Sequence, residues 1–208
     1  MALQISASDC ELLKRMIEGD EEAFISLYRR RQSSVYRFAL QMSGSATIAE
    51  DVTQEVFMML MREAANYDAT RGSVSAYLYG IARNFVLRRV EKERRFVSMI
   101  DEAEESDFQA AENFISLDDP LGDLTRSETI ETVRQAVLAL PARYREVVVL
   151  CDLHEMSYTE AATALDCAVG TVRSRLHRGR SMLAEKLRSV KENDAASDLI
   201  GSQRSFVV

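Results

Sequence analysis

Hydrophobic positions recur every three to four residues along most of the chain, the period of amphipathic helices, so the pattern predicts an all-α protein. Asp20 suits a helix N-cap, and DEEAFISLYRRRQSSVYRFALQMSG then places Phe24, Leu27, Tyr28, Val35, Phe38, Ala39 and Met42 on one stripe before Gly44 ends it. Thr47 and Glu50 have capping-box spacing and predict the start of AEDVTQEVFMMLMRE, with Val52, Val56, Met59 and Leu60 inside and the stripe running out at Glu63. After the turn NYDATRG comes a third helix, SVSAYLYGIARNFVLRRVEKERR, whose inward residues are Val74, Leu78, Ile81 and Phe85. A short helix around residues 12–17 completes a first helical domain over residues 10–97.

A second helical domain is predicted over residues 127–190. IETVRQAVLAL forms one helix, and Pro141 suits the first turn of the next, ARYREVVVLCDLHEM. The apolar run from Val147 to Leu150 would fit a strand, but its flanks are helical. Ser157 and Glu160 form a second capping box, opening a short helix through Leu165. The turn DCAVG then leads to another helix beginning near Val169. Ala161, Ala162 and Leu165 would face Val172 and Leu176 across that turn, the signature of a helix-turn-helix. Residues 191–208 show no clear period and read as a frayed or weakly docked tail.

Charge changes the picture. The 208-residue chain carries a formal net charge of −7, yet the acid is unevenly placed. From Ser98 to Thr125 there are nine carboxylates and no lysine or arginine, so residues 98–126 read as an acidic flexible linker between the two small domains. A sharper alternative is that this strap mimics nucleic acid and shields basic surfaces. Those surfaces are two, hidden by the net charge. With 47% hydrophobic and 28% charged residues the composition is that of a soluble globular protein. No apolar run reaches the roughly 20 residues needed to cross a bilayer, which argues against membrane insertion. The N-terminus lacks the pattern of a secretory signal, so a cytoplasmic location is expected. Cys10, Cys151 and Cys167 form no CxxC pair and read as small buried residues.

The denser basic surface is AVGTVRSRLHRGR, residues 168–180. Thr171, Arg173, Ser174, His177 and Arg178 would lie on the outward face of the second helix of the helix-turn-helix. Arginine can donate in bidentate fashion to guanine, and hydroxyls near a helix N-terminus suit a major groove. Arg175, Arg180, Lys186 and Arg188 suit backbone phosphates, which fix register without reading sequence. A basic helix can also be merely a solvated face. Here the capping box, the turn and the apolar seam coincide with the charge, which favours duplex DNA.

These residues resemble a family. SYTEAATALDCAVGTVRSRLHRGR, preceded by LPARYREVVVL, resembles the fourth region of bacterial RNA polymerase sigma factors of the compact extracytoplasmic-function (ECF) group. AEDVTQEVFMMLMR is similar to that family's core-polymerase-binding helix, and AYLYGIARNFVLRR to its promoter-melting helix. The resemblance implies that Asp51, Gln54, Glu55 and Phe57 contact the clamp coiled coil of core RNA polymerase. On the residues alone, Phe57 fits a core position equally well. The resemblance also puts Tyr67, Tyr77, Arg83, Asn84 and Arg88 at the melted minus-ten element of promoter DNA. Arg173, Ser174, His177 and Arg178 fall where the family reads the minus-thirty-five duplex, with Thr171 and Arg175 beside them. Tyr77, a smaller platform for stacking a base, stands where many relatives have tryptophan. Tyr77 and Tyr79 fit partly buried positions as well. An anti-sigma factor is a partner the family implies.

An alternative is a helix-turn-helix regulator that binds duplex DNA without polymerase, but it has no need of DVTQEVF and YLYGIARN. An enzyme is not expected, since no H-x-E with CxxC and no Gly-rich phosphate loop is present, and His154 and His177 lack partners for metal or nucleophilic chemistry. No cofactor and no metal are predicted.

Overall fold

The computed structural model describes the backbone of residues 7–101 and 122–204, and the side chains of residues 7–93 and 129–189. Its helices are α1 (Asp9–Ile17), α2 (Glu21–Ser43), α3 (Ala46–Glu63), α4 (Val74–Asp101), α5 (Gly122–Leu138), α6 (Ala142–Val148), α7 (Tyr158–Leu165) and α8 (Val169–Arg204). No strand occurs among the described residues.

Local chemistry sets the helix ends. Asp20 accepts the Ala23 N–H at 3.1 Å and caps α2, while Arg15 closes on its carboxylate at 2.6 Å. The Arg15 and Ala23 hydrogen bonds hold the Asp20 carboxyl below its ordinary pKa. Gly44, left-handed at φ +75°, ends α2 and donates back to the Leu40 carbonyl at 2.7 Å. The α3 cap differs from the expected one. Ser45, not Thr47, accepts the Ile48 N–H at 3.3 Å, and Thr47 lies exposed within the first turn. The chain leaving Gly44 already has extended geometry at Ser45, so the helix starts two residues earlier than the T-x-x-E spacing suggests.

Helices α1 to α4 pack around Val35, Phe38, Val52, Leu60 and Leu78, all almost fully buried. Asp9 ties α1 to α2 by accepting from Arg30 at 2.8 Å and from Arg31. In the second block, α8 closes on α6 at Gly179, where a Cβ would stand 2.8 Å from the Val148 side chain. The helix-turn-helix forms as expected. Ser157 and Glu160 make the reciprocal capping box, and Asp166, left-handed at φ +49°, ends α7. Ala161, Ala162, Leu165, Val172 and Leu176 are all buried.

Four features depart from the sequence-based reading. Helix α4 runs on to Asp101 and α5 begins at Gly122, so residues 98–101 and 122–126 are helical, and residues 102–121 lie outside the described residues. Helix α8 continues to Arg204, because KENDAASDL contains neither proline nor glycine to stop it; a missing apolar stripe says nothing against helicity. The segment after α6 does not stay α-helical but widens into a π-turn at Val149–Leu153, which ends at His154. Pro141 sits at the N-cap of α6 instead of inside its first turn.

The two blocks share a single apolar core that includes Phe38, Val86, Val148 and Leu165. Helices α4 and α7 meet closely at Gly80, where a Cβ would lie 3.3 Å from the Ala164 carbonyl oxygen. Arg145 of α6 donates to the Met42 carbonyl at the end of α2, at 2.5 Å, and to the Leu138 and Leu140 carbonyls at the end of α5. It thereby caps two helices belonging to different blocks.

Candidate polymerase and nucleic-acid interfaces

Three surfaces gather the residues singled out above. The first lies on α3. Asp51, Gln54 and Glu55, spaced i, i+3 and i+4, share one side of the helix, with Gln54 exposed and both carboxylates part-exposed. Arg89 of α4 spans the two acids, with Nη1 2.6 Å from Asp51 and Nη2 2.5 Å from Glu55. These hydrogen bonds, that of Glu55 first, raise the Arg89 pKa above its ordinary value. Arg89 is thus the counter-ion of the acidic face.

Phe57 is 3% exposed, packs edge-on against Tyr28 with ring centroids 4.8 Å apart, and lines the wall of the groove beside that face. The exposed apolar component comes from Met58, 43% exposed, and Met61, 62% exposed. Together with Gln54, Phe24, Tyr28 and Tyr36 they line that groove, of about 630 Å³, between α2 and α3. Sequence reasoning missed the two methionines. The signal was available: positions 54, 58 and 61 fall on the same side of a helix, away from the buried stripe.

The second surface surrounds the turn before α4. Tyr67 and Tyr77 are both half-buried and meet at 5.5 Å between ring centroids. The Tyr67 hydroxyl donates to the Gly72 carbonyl at 2.8 Å. Burial pushes both phenol pKa values up, so these rings are neutral. Asp68 accepts from the Thr70 N–H at 2.9 Å and hydroxyl at 2.7 Å, which fixes the turn and lowers the Asp68 pKa. Asn84 and Arg88 are exposed further along α4. Arg83 is not with them: its Nε donates at 2.6 Å to Glu146 of α6, whose side chain is 4% exposed. Tyr79 is 6% exposed, and its hydroxyl lies 2.8 Å from His154 Nδ1. His154 also reaches Gln41 Oε1 at 2.8 Å through Nε2. Since the Gln41 oxygen only accepts, Nε2 carries the proton and Nδ1 accepts from Tyr79. Burial, and then the nearby Arg37 charge, lowers the His154 pKa to about 4, so the ring is neutral.

The third surface is the N-terminal half of α8. Arg173, Ser174, His177 and Arg178 are exposed, while Thr171 and Arg175 are half-buried. The Arg173 guanidinium lies 5.9 Å from the Tyr158 ring centroid on α7, a contact that steadies it across the turn. Ser174 turns its hydroxyl back to the Thr171 carbonyl at 3.1 Å, which leaves oxygen lone pairs outward as acceptors. Arg178 stands by the Tyr144 phenol and lowers its pKa, with Arg143 packed 4.8 Å from the same ring. Arg180, expected on phosphate, pairs with Asp152 at 2.6 Å while keeping its side chain 56% exposed.

Comparison with known proteins agrees with this division. Sigma-70 region 2 matches residues 27–96, and Sigma-70, region 4 matches residues 130–183. The ECF RNA polymerase sigma factor SigW of Bacillus subtilis is 31% identical over 180 residues, covering 86% of this chain and 96% of that one. Among solved structures, CnrH in complex with the cytosolic domain of CnrY superposes with a TM-score of 0.64 at 24% identity, covering 88% of this chain and 99% of that one. RpoE of Bartonella quintana, in complex with the anti-sigma factor NepR, gives 0.58 at 27% identity over 76% of this chain and 91% of that one. The region 2 match accounts for the N-terminal helices that a free-standing regulator would not need. With both regions matched in order along a chain that spans nearly the whole of SigW, the protein belongs to the ECF RNA polymerase sigma factors.

Proposed function

We propose that residues 10–97 dock on core RNA polymerase and capture the minus-ten element, while residues 127–190 read the minus-thirty-five duplex. The observation that carries this reading is the presence on one chain of three chemically distinct surfaces. The α3 face offers carboxylates, an amide and two thioethers beside an aromatic groove, which suits a basic helical coiled coil with apolar anchors. The Tyr67–Tyr77 pair beside Asn84 and Arg88 offers aromatic faces, a base-edge partner and a cation, the set that an unstacked strand requires. The α8 face presents Arg173, His177 and Arg178 toward a major groove, with the α8 N-terminus favouring phosphate.

The chain lends recognition to polymerase and performs no catalysis of its own, acting in the cytoplasm. Control by an anti-sigma factor is part of this reading, supported by the likeness to RpoE bound to NepR. The test is run-off transcription by bacterial core polymerase with the purified chain on a library of promoter fragments. Discrete starts preceded by a shared pair of elements are expected. A duplex shift without polymerase binding would return the chain to the regulator class.

A further inference from the structure

Helix α3 carries the run Met58, Met59, Leu60 and Met61, and the fold gives these side chains different surroundings. Leu60 is buried, and Met59 is half-buried against the core. Met58 and Met61 stand 43% and 62% exposed, three residues apart on one side of the helix, and both line the groove between α2 and α3. Elsewhere, Met42 and Met156 are buried, and Met16 and Met182 are half-buried against the core. Among the described residues, solvent therefore reaches these two thioethers most freely.

Sulfur chemistry gives the second argument. A thioether takes one oxygen atom from hydrogen peroxide: the sulfur lone pair attacks, the O–O bond breaks and water leaves. Sulfur loses two electrons and the peroxide oxygens gain them. A thioether suits the aromatic floor supplied by Phe24, Tyr28, Tyr36 and Phe57. The sulfoxide is polar, and its oxygen must shed water when a partner covers the groove. Thiols are the competing targets, but Cys10, Cys151 and Cys167 are all half-buried. Burial, and then the Asp152 charge, pushes the Cys151 thiol up, away from the reactive thiolate.

We propose that Met58 and Met61 form a reversible oxidation site, where conversion to methionine sulfoxide by peroxide weakens the hold of α3 on core RNA polymerase. The inference rests on the function proposed above, with α3 as the polymerase-docking helix. Docking and oxidation then oppose each other, since a covered thioether is shielded and an oxidised one resists being covered. A sulfoxide reductase reverses the step: the oxygen leaves as water while a dithiol becomes a disulfide.

The test treats the full chain with hydrogen peroxide, maps the oxidised positions by mass spectrometry and measures Kd for bacterial core polymerase before and after. Sulfoxide is expected at Met58 and Met61 ahead of Met16, Met42, Met59, Met156 and Met182, with Kd rising about tenfold. The melting temperature should move by less than about 2 °C, because neither side chain belongs to the core. Dithiothreitol alone should leave the loss in place, and dithiothreitol with sulfoxide reductases for both epimers should reverse it. Polymerase bound beforehand should slow oxidation at both positions. The double variant Met58→Leu, Met61→Leu keeps helix propensity and, whatever its own affinity, should show the same Kd with and without peroxide. Met58→Gln with Met61→Gln, a polar stand-in for the sulfoxide, should bind as the oxidised chain does. Sulfoxide at both positions with an unchanged Kd overturns the proposal. So does earlier oxidation of the other five methionines, recovery with dithiothreitol alone, or a peroxide response kept by the leucine variant. If the untreated chain does not bind core polymerase, the docking reading itself fails and takes the oxidation site's role with it.

Discussion

The two helices proposed to meet DNA, α4 and α8, hold their polar side chains differently. On α8, Arg173, His177 and Arg178 stand exposed, steadied at most by an aromatic neighbour. On α4, Arg83 and Arg89 are held in ion pairs with carboxylates from other helices, while Tyr77 is covered by Tyr67 from the turn before it. Duplex readout needs side chains presented from a rigid helix, and the helix-turn-helix supplies this before DNA arrives. Strand capture needs aromatic faces that are costly to leave in water, and in the proposed role a base would replace the neighbour that each of these rings now has. Under the proposed function, binding at α8 would be an addition of contacts, whereas binding at α4 would be an exchange.

That contrast can be broken most sharply at Glu146. Glu146→Ala removes a carboxylate that is 4% exposed and partnered with Arg83, so unfolding should become easier by about 3 kcal/mol in denaturant titration. Arg178→Ala, at an exposed position, should cost less than about 0.5 kcal/mol in the same measurement. Equal costs would remove the distinction between the two helices.

Next in size is an acid response. His154, enclosed by Tyr79, Gln41 and the Phe38 ring with the Arg37 charge nearby, has its pKa lowered from 6.5 to about 4. Between those values the unfolded chain takes up a proton that the folded chain refuses. Stability is thus fully present above about pH 6.5 and falls progressively toward pH 4, by about 3 kcal/mol in all. Melting temperature against pH should show this slope in the native chain and lose most of it in His154→Asn. An unchanged slope in the variant would place the titrating group elsewhere.

A third comparison sets Arg173 and Arg178 against Arg88. Arg173→Ala or Arg178→Ala should weaken promoter duplex binding by about 1–3 kcal/mol and relax sequence preference, as loss of a base-edge contact does. Arg88→Ala should weaken binding evenly across sequences and reduce the salt slope by about one. Anisotropy titrations at several salt concentrations would separate the two behaviours. The smallest effect is expected at Arg89, whose pairs with Asp51 and Glu55 are part-exposed. Arg89→Gln should shift stability by less than about 1 kcal/mol, which thermal melts at low and high salt would measure.

Much of this architecture is legible in the order of residues. Asp20 and Gly44 bound α2, and Ser157, Glu160 and the turn after Leu165 place the helix-turn-helix, because caps and αL residues act within a few positions of chain. The exposed face of α8 is legible for the same reason, since helical periodicity alone separates Arg173 and His177 from Val172 and Leu176. The α3 start shows the limit of such signals: Ser45 and Thr47 both qualify as caps, and only the path of the chain after Gly44 selects Ser45.

Other features were decided by partners far away in sequence. Periodicity leaves Phe57 at home either in the core or on a docking face, and the approach of Tyr28 from α2 puts it inside, leaving Met58 and Met61 outside. Arg83 reads as one more basic residue until Glu146, 63 positions later, meets it in a part-buried ion pair. His154 has no neighbour in the sequence to suggest that it bridges Tyr79 and Gln41 from different helices. The chain by itself determined its helices, their caps and the face that α8 turns outward, because those depend on interactions within about one helical turn. Which polar side chains would be hidden, and that the two blocks close upon one core, was settled only by tertiary packing, where the energy of a charge depends on what surrounds it.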